Sequence, residues 1–201
     1  MPAPNPFHVI REAAAIWLAG WFQWVSRCIL WVLCCFTVIL APPATFALAY
    51  AAHYAVHGVE LSLGELAAAA RQQFWQSWLW MFLNLAAAGV VWAGARLGEG
   101  IAALGWAALA LGLVWLVVQV YTLPLFMGQD RKSIFLALGN GARAAFSAPL
   151  FTAVAAGFAL AVEAVSLLLV APLALGGPGL VAVLATRAAF ERQKTLYLED
   201  D

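Results

Sequence analysis

The chain has 201 residues, of which 65% are hydrophobic and 10% are charged, and its formal net charge at pH 7 is zero. In soluble domains about a quarter of the residues are charged. This composition, with a mean hydropathy of +0.90, therefore indicates an integral membrane protein. The absence of Lys/Arg-rich runs excludes nucleic-acid binding, and three cysteines in a chain of this length exclude a disulfide-stapled secreted domain.

The N-terminal part, residues 1–27, is predicted to form an interfacial helix. From Phe7 to Trp24, apolar residues recur at the spacing of one helix face, and polar residues lie between them. Such a helix lies in the headgroup layer with its apolar face toward the acyl chains. The segment has neither the basic cluster nor the small-residue cleavage site of a signal peptide, so we do not interpret it as one.

The next stretch, residues 28–57, carries no charged residue and is long enough to cross a bilayer, which takes about 20 residues. Its helix is predicted to break at Pro42 and Pro43, because proline removes helix hydrogen bonds. Two alternatives remain open: the prolines kink one spanning helix, or they turn the chain back as a re-entrant pair of half-helices. All three cysteines lie in this stretch, and we expect them to behave as small buried apolar residues.

Three further stretches are predicted to span the membrane: residues 74–95, 101–126 and 149–171. Tryptophans cluster near the ends of the first two, as in the aromatic belts at membrane surfaces, namely Trp75, Trp78, Trp80, Trp92 and Trp106. Small residues recur four positions apart in Gly89 and Ala93, in Ala108 and Gly112, and in Ala153, Gly157 and Ala161. This spacing lets helices approach closely in lipid, although it also arises by chance in an Ala-rich chain.

The segments between and after these spans are predicted to lie at the surface. Amphipathic helices are expected at residues 61–73 and 133–146. Residues 178–201 are expected to form a short C-terminal helix and an acidic tail, because the apolar run there is too short to cross the membrane alone. The short helix is expected to lie either at the surface or as a re-entrant piece. The predicted fold class is therefore all-α: one membrane domain, 1–201, with about four transmembrane helices plus interfacial amphipathic helices.

The distribution of Lys and Arg indicates the orientation in the membrane only weakly. With one kinked span at 28–57, six of these residues lie on the N-terminal side and four on the other, which weakly favours a cytoplasmic N-terminus. With a re-entrant turn at the prolines, the ratio is again six to four, although the residues differ. The positive-inside rule therefore does not choose between the two topologies.

Three polar residues inside the predicted spans are candidate binding residues: Asn84, Gln119 and Glu163. A charged group near the middle of a span is costly, so it usually faces a partner or a wet cavity. Glu163 and Asn84 lie near the midplanes of their helices, whereas Gln119 lies nearer one surface. We expect Glu163 and Asn84 either to line a small polar path or binding site, or to hydrogen-bond between helices.

No metal, cofactor or catalytic residue is predicted. His53, His57 and Glu60 have a spacing that a metal site can use, but they form only part of such a site. We interpret them as amphipathic residues at the end of a membrane helix. The sequence shows no Ser-His-acid grouping, phosphate-binding glycine loop or pair of metal-binding carboxylates, so we expect a non-enzymatic protein.

Part of the sequence resembles a family of bacterial membrane proteins. From Ile29 to Leu48, a hydrophobic helix runs into a proline break, and the segment that follows matches Pro-Ala-x-x-Ala-Leu through Pro43, Ala44, Ala47 and Leu48. With the similar order of residues 74–84 and 121–146, this pattern resembles the YesL-like family, the domain of unknown function 624. Pro42 stands where that family is expected to have glycine. The resemblance implies a bacterial membrane protein, often associated with carbohydrate uptake systems, and no mechanism.

The predicted role is that of a non-catalytic accessory or regulatory component of a membrane transport system. Only the resemblance implies that carbohydrates are transported. The predicted partners are the lipid bilayer, a transporter permease or sensor protein, or further copies of the chain, and the predicted location is the bacterial inner membrane. Two alternatives remain open: a small transporter or channel that uses Glu163 and Asn84, and a structural or lipid-organising membrane protein.

Overall fold

The computed structural model describes residues 5–169 and 176–199. Within these ranges the chain forms nine α-helices and no strand, which confirms the all-α class. The helices are α1 (Pro6–Ala19), α2 (Trp21–Cys35), α3 (Ala41–Val56), α4 (Leu63–Gln72), α5 (Phe74–Leu97), α6 (Ala102–Met127), α7 (Ile134–Ser147), α8 (Pro149–Leu169) and α9 (Gly177–Glu199).

Polar side chains mark where three of the shorter helices begin. The Asn5 side chain accepts a hydrogen bond from the Phe7 amide, and Pro6 occupies the first turn of α1, where its missing N–H is not needed. Ser62 and Glu65 form a reciprocal capping box on α4. Ser133 caps α7 by accepting from the Leu136 amide. The predicted amphipathic segments at 61–73 and 133–146 correspond to α4 and α7.

The stretch 28–57 differs from the single kinked helix that was one of the two predictions. The helix ends at Cys35, and α3 begins at Ala41 and runs back along α2, where the Trp31 indole donates to the Thr45 hydroxyl at 3.0 Å. The break precedes the prolines: Pro42 and Pro43 lie in the first turn of α3, a position that proline favours. The chain therefore turns back, as in the second alternative.

The N-terminal segment also differs from its predicted bounds. The first helix ends at Ala19 instead of continuing to residue 27, and the chain bends by 87° before α2. Gly20 lies at the bend and is a poor helix former. Residues 21–27, predicted as part of the interfacial helix, are therefore the first half of α2 and include the buried Trp24 and Arg27.

The C-terminal helix is longer and more buried than predicted. It begins at Gly177 and extends for 23 residues, and Val183, Leu184 and Ala188 are fully buried. Glycines at its start allow this packing: a Cβ on Gly179 would lie 2.9 Å from the Trp24 ring. The sequence predicted a short helix because the apolar run there is too short to span alone, but the small residues of α9 let α1, α3 and α8 pack around it.

Three helices of the described part of the chain are long and apolar enough to cross a membrane: α5, α6 and α8. The bent pair of α1 and α2 would make a fourth if it counts as one span. The main apolar core lies where α1, α2, α3, α6, α8 and α9 meet, around Trp24, Tyr121 and Leu184. A second cluster joins α3, α6 and α7 through Phe46, Phe126 and Ile134.

Candidate functional site

Asn84 and Gln119 are both used inside the hairpin formed by α5 and α6. The Trp115 indole donates to Asn84 Oδ1 at 3.0 Å, while Asn84 Nδ2 donates to the Trp80 carbonyl at 2.8 Å. One turn closer to the start of α5, the Trp80 indole donates to Gln119 Oε1 at 2.8 Å. These two indole–amide hydrogen bonds connect α5 with α6, as polar side chains do between packed membrane helices.

Glu163 lies apart from those two residues. It is a half-buried residue of α8, and no hydrogen bond or ion pair joins it to another described residue. Helix α8 packs chiefly on α9, whereas α5 packs on α6 and α3, so the structure does not bring Glu163 and Asn84 together. The Glu163 carboxyl lies instead on the side of Cys28 of α2, on which its charge acts. The polar layer predicted from the two residues is therefore not formed.

The two histidines at the end of α3 do not form a metal site with Glu60. The His57 ring packs beside His53, with centroids 4.9 Å apart, and its Nδ1 lies 2.7 Å from the His53 carbonyl. Glu60 turns away and accepts from Gln23 at 2.8 Å. Burial, with His57 and Lys132 nearby, lowers the pKa of His53 to about 4. The described residues contain no group of three or more His, Cys, Asp or Glu that could hold a metal.

Close glycine contacts hold α5 and α6 together in the half of the hairpin that is nearer to the α5–α6 loop. A Cβ on Gly94 would lie 2.5 Å from Ala108 Cβ, and Gly112 fits against Val91. Ala108 and Gly112, predicted as a packing pair, therefore face the partner helix of the same hairpin. Beyond the core, the outer surface of this half is exposed, and its large side chains include Leu85, Val90, Trp92, Leu104, Trp106 and Leu111.

The other two predicted sets of small residues face outward. Gly89 and Ala93 are exposed on α5, and a Cβ on Gly89 would have no neighbour within 4 Å. Ala153, Gly157 and Ala161 are likewise exposed on α8, and a Cβ on Gly157 would also have no neighbour within 4 Å. We call Gly89 with Ala93 the α5 face and the three residues of α8 the α8 face. Both lie on candidate spans, yet neither packs against a described helix.

Nearly all the basic residues gather at one end of the bundle, which we call the basic end. Arg187 of α9 pairs with Glu12 of α1, and Arg192 donates to Ser147, so the C-terminal half of α9 lies beside the start of α8. Lys132 donates to the Met127 carbonyl at 2.7 Å at the end of α6. The Arg27 side chain reaches the α3–α4 loop at the Leu61 carbonyl. The other basic residues are sequence neighbours of these groups: Arg11 is next to Glu12, Arg131 is next to Lys132, Arg143 lies one turn before Ser147, Lys194 lies two residues beyond Arg192, and Arg71 lies just before the start of α5.

Only Arg96, which pairs with Glu99, lies at the other end among the ten Lys and Arg residues. The distribution predicted from the sequence was six to four even with α3 turned back, because the return of α9 along α8, which brings Arg187, Arg192 and Lys194 to the basic end, could not be foreseen. The tertiary structure therefore sharpens the charge asymmetry that the sequence left weak.

The class that the fold defines is that of an all-helical protein with three to four apolar helices long enough to span a membrane. Neither a protein-family model, nor a curated protein, nor a solved structure matches the chain.

Proposed function

We propose that the chain is a multi-pass protein of the bacterial inner membrane and acts as a non-catalytic accessory or regulatory component of a membrane transport system. The observation that carries the proposal is the pair of small-residue faces on α5 and α8, which lie on candidate spans and have open space around their glycines. The assignment to transport, and to carbohydrates in particular, is supported by the resemblance to the YesL-like family.

Residence in the bilayer is supported by the apolar surface of the candidate spans. In the apolar 18-residue segment of α5 no residue is buried, and in the corresponding segment of α6 only 11% of the residues are buried. Trp92, Trp106 and Leu113 are each more than half exposed on these helices. Monomeric soluble proteins rarely expose contiguous apolar surface on this scale, whereas acyl chains would solvate it.

Assembly with another membrane protein is supported by the chemistry of the two faces. Lipid tails are as apolar as leucine, so helices in a bilayer associate through close van der Waals packing, which small residues allow. The α5 face and the α8 face offer this close approach, while the small residues at Ala108 and Gly112 are already used within the hairpin. The outward faces are therefore the surfaces on which a transmembrane helix of a permease or sensor would pack.

The test is affinity purification of the full chain from its native host in mild detergent, followed by mass spectrometry of the bound proteins. We expect a transporter permease or a sensor protein in stoichiometric amount. Gly89→Leu and Gly157→Leu should each reduce its recovery, because the new side chains occupy the space that a partner helix needs. Gly139→Leu is the matched control, since this glycine on α7 is also exposed and open but lies outside the spans.

A clean monomer or homo-oligomer would contradict the accessory role. Equal recovery of the partner with the Gly89→Leu, Gly157→Leu and Gly139→Leu variants would contradict the assignment of the faces.

A second candidate function, a small transporter or channel, is favoured by the lack of a partner for Glu163 among the described residues. An unpaired carboxyl on a candidate span is costly and usually serves a pathway or site. Flux of protons or solutes through reconstituted protein, lost in Glu163→Gln, would support this function over the first. Without such flux and without a partner, a structural or lipid-organising role would remain.

A further inference from the structure

A cavity of about 470 Å³ lies between α2, α3 and α4, near the basic end. Its walls are almost entirely apolar and include Trp31, Leu48, Leu66 and Phe74. This volume falls in the range of about 300–1,000 Å³ that is usual for ligand pockets. Two charged side chains, Arg27 and Arg71, also line it. The cavity therefore combines an apolar interior with fixed positive charge.

Arg27 is a buried cation that is held by hydrogen bonds within the fold. Its side chain is 9% exposed, and Nη2 donates to the Leu61 carbonyl at 2.9 Å and to Gln23 Oε1 at 3.2 Å. It forms no ion pair with a described acidic residue: the nearby Glu60 accepts from Gln23 instead. Glu60, which is bridged to Arg27 through the Gln23 amide, acts electrostatically on the guanidinium group, so this buried cation is balanced within the fold.

Arg71 supplies a second positive charge further along the same cavity. It lies in the last turn of α4, whereas Arg27 is bonded to Leu61, just before the start of that helix. The Arg71 side chain is exposed and makes no hydrogen bond or ion pair with another described residue. The two guanidinium groups therefore flank the apolar cavity along α4, and Arg71 is free to bind an anion.

We propose that this cavity binds an anionic phospholipid. One acyl chain lies against the apolar walls, and the phosphate group lies at Arg71. Guanidinium groups bind phosphate through paired hydrogen bonds, and each basic residue near a membrane surface attracts anionic lipid. A neutral lipid would leave Arg71 without a counter-charge, and a free phosphate ion would leave the apolar walls empty. This inference requires only that the chain resides in a bilayer, not that it has a protein partner.

The test titrates detergent-purified full chain with dioleoyl phosphatidylglycerol and, separately, with dioleoyl phosphatidylcholine, and measures bound lipid by native mass spectrometry. We expect the anionic lipid to bind more tightly. Arg71→Gln should weaken its binding by about fivefold, which corresponds to about 1 kcal/mol for one basic residue. Arg143→Gln is the matched control because Arg143 is also exposed and basic but lies on α7, away from the cavity.

A second pair of variants tests the acyl-chain part of the site while keeping both arginines. Ala67 lines the cavity and is exposed on α4, so Ala67→Phe should fill the space and abolish tight binding of phosphatidylglycerol. Ala68→Phe, one residue further on and outside the cavity lining, should bind as the unmodified protein does. Equal affinity for the two lipids, or equal binding of phosphatidylglycerol by the Ala67→Phe and Ala68→Phe variants, would overturn the proposal.

Discussion

At the scale of single residues, the three candidate binding residues of the spans divide into two that form hydrogen bonds between helices and one that does not. Asn84 and Gln119 each accept an indole N–H across the α5–α6 hairpin, which satisfies part of their hydrogen-bonding capacity away from water. Glu163 has no such partner among the described residues. Sequence reasoning identified all three as unusual, but only their surroundings distinguish a structural amide from an unpaired acid.

The first prediction concerns the bond between Asn84 and Trp115. A double-mutant cycle of Asn84→Ala and Trp115→Phe should give a coupling energy of about 0.6 kcal/mol, the average for hydrogen bonds between membrane helices. The measurement is the free energy of unfolding of the detergent-solubilised chain. Trp106→Phe, at an exposed indole of the same hairpin, should show no coupling to Asn84→Ala. A coupling of the same size with Trp106 would contradict the role of the Asn84 bond.

At the scale of elements, the glycines of the two longest helices have opposite roles that their sequence spacing does not reveal. Gly94 lies where α5 meets α6, and a Cβ there would lie 2.5 Å from Ala108 Cβ. Gly89, five residues earlier, has no neighbour within 4 Å. The small-residue spacing singled out Gly89 with Ala93, whereas Gly94, in the same Ala- and Gly-rich run, is the glycine that packs inside the hairpin.

The second prediction uses this difference. Gly94→Leu should lower the free energy of unfolding by about 1–3 kcal/mol, because the added side chain forces apart two closely packed helices. Gly89→Leu should leave that free energy nearly unchanged, since its new side chain meets open space. Thermal or denaturant unfolding of the two purified variants in the same detergent checks the difference. Equal destabilisation by both substitutions would show that the α5 face is packed within the chain.

At the scale of the whole molecule, the arrangement of the helices places the basic residues at one end. The returning paths of α3 and α9 bring Arg187, Arg192 and Lys194 beside α1, α7 and the start of α8, while Arg96 lies at the opposite end of α5. Cytoplasmic segments of membrane proteins carry the excess of Lys and Arg. We therefore infer that the basic end faces the cytoplasm and that the loop between α5 and α6 lies outside.

The third prediction follows from that orientation. In intact cells, a membrane-impermeant maleimide should label Glu99→Cys, which lies in the α5–α6 loop, but not Asp130→Cys, which lies in the loop after α6. The second variant should react only after the cells are permeabilised. The unmodified chain, with its three native cysteines, provides the background. The reverse labelling pattern would place the basic end outside and contradict the inference.

The sequence by itself determined the all-helical class, because composition and the length of uncharged runs are local properties that any packing must satisfy. It also located several helices closely: the prediction for 101–126 corresponds to Ala102–Met127, and that for 61–73 corresponds to Leu63–Gln72. Caps and charges at helix ends act within one turn, so they can be seen from neighbouring residues alone. The anionic-lipid cavity was not foreseen, since Arg27 and Arg71 are 44 positions apart.

Only the tertiary structure decided which helices lie against one another. The chain turns back at residues 36–40, before Pro42 and Pro43, and α9 packs into the core although its sequence resembles a surface helix. Both outcomes depend on contacts between residues far apart in the sequence, such as Gly179 against Trp24 and Arg187 against Glu12. Those contacts gather the basic residues at one end and separate Glu163 from Asn84, because shape and charge complementarity between distant segments leaves no local periodicity to read.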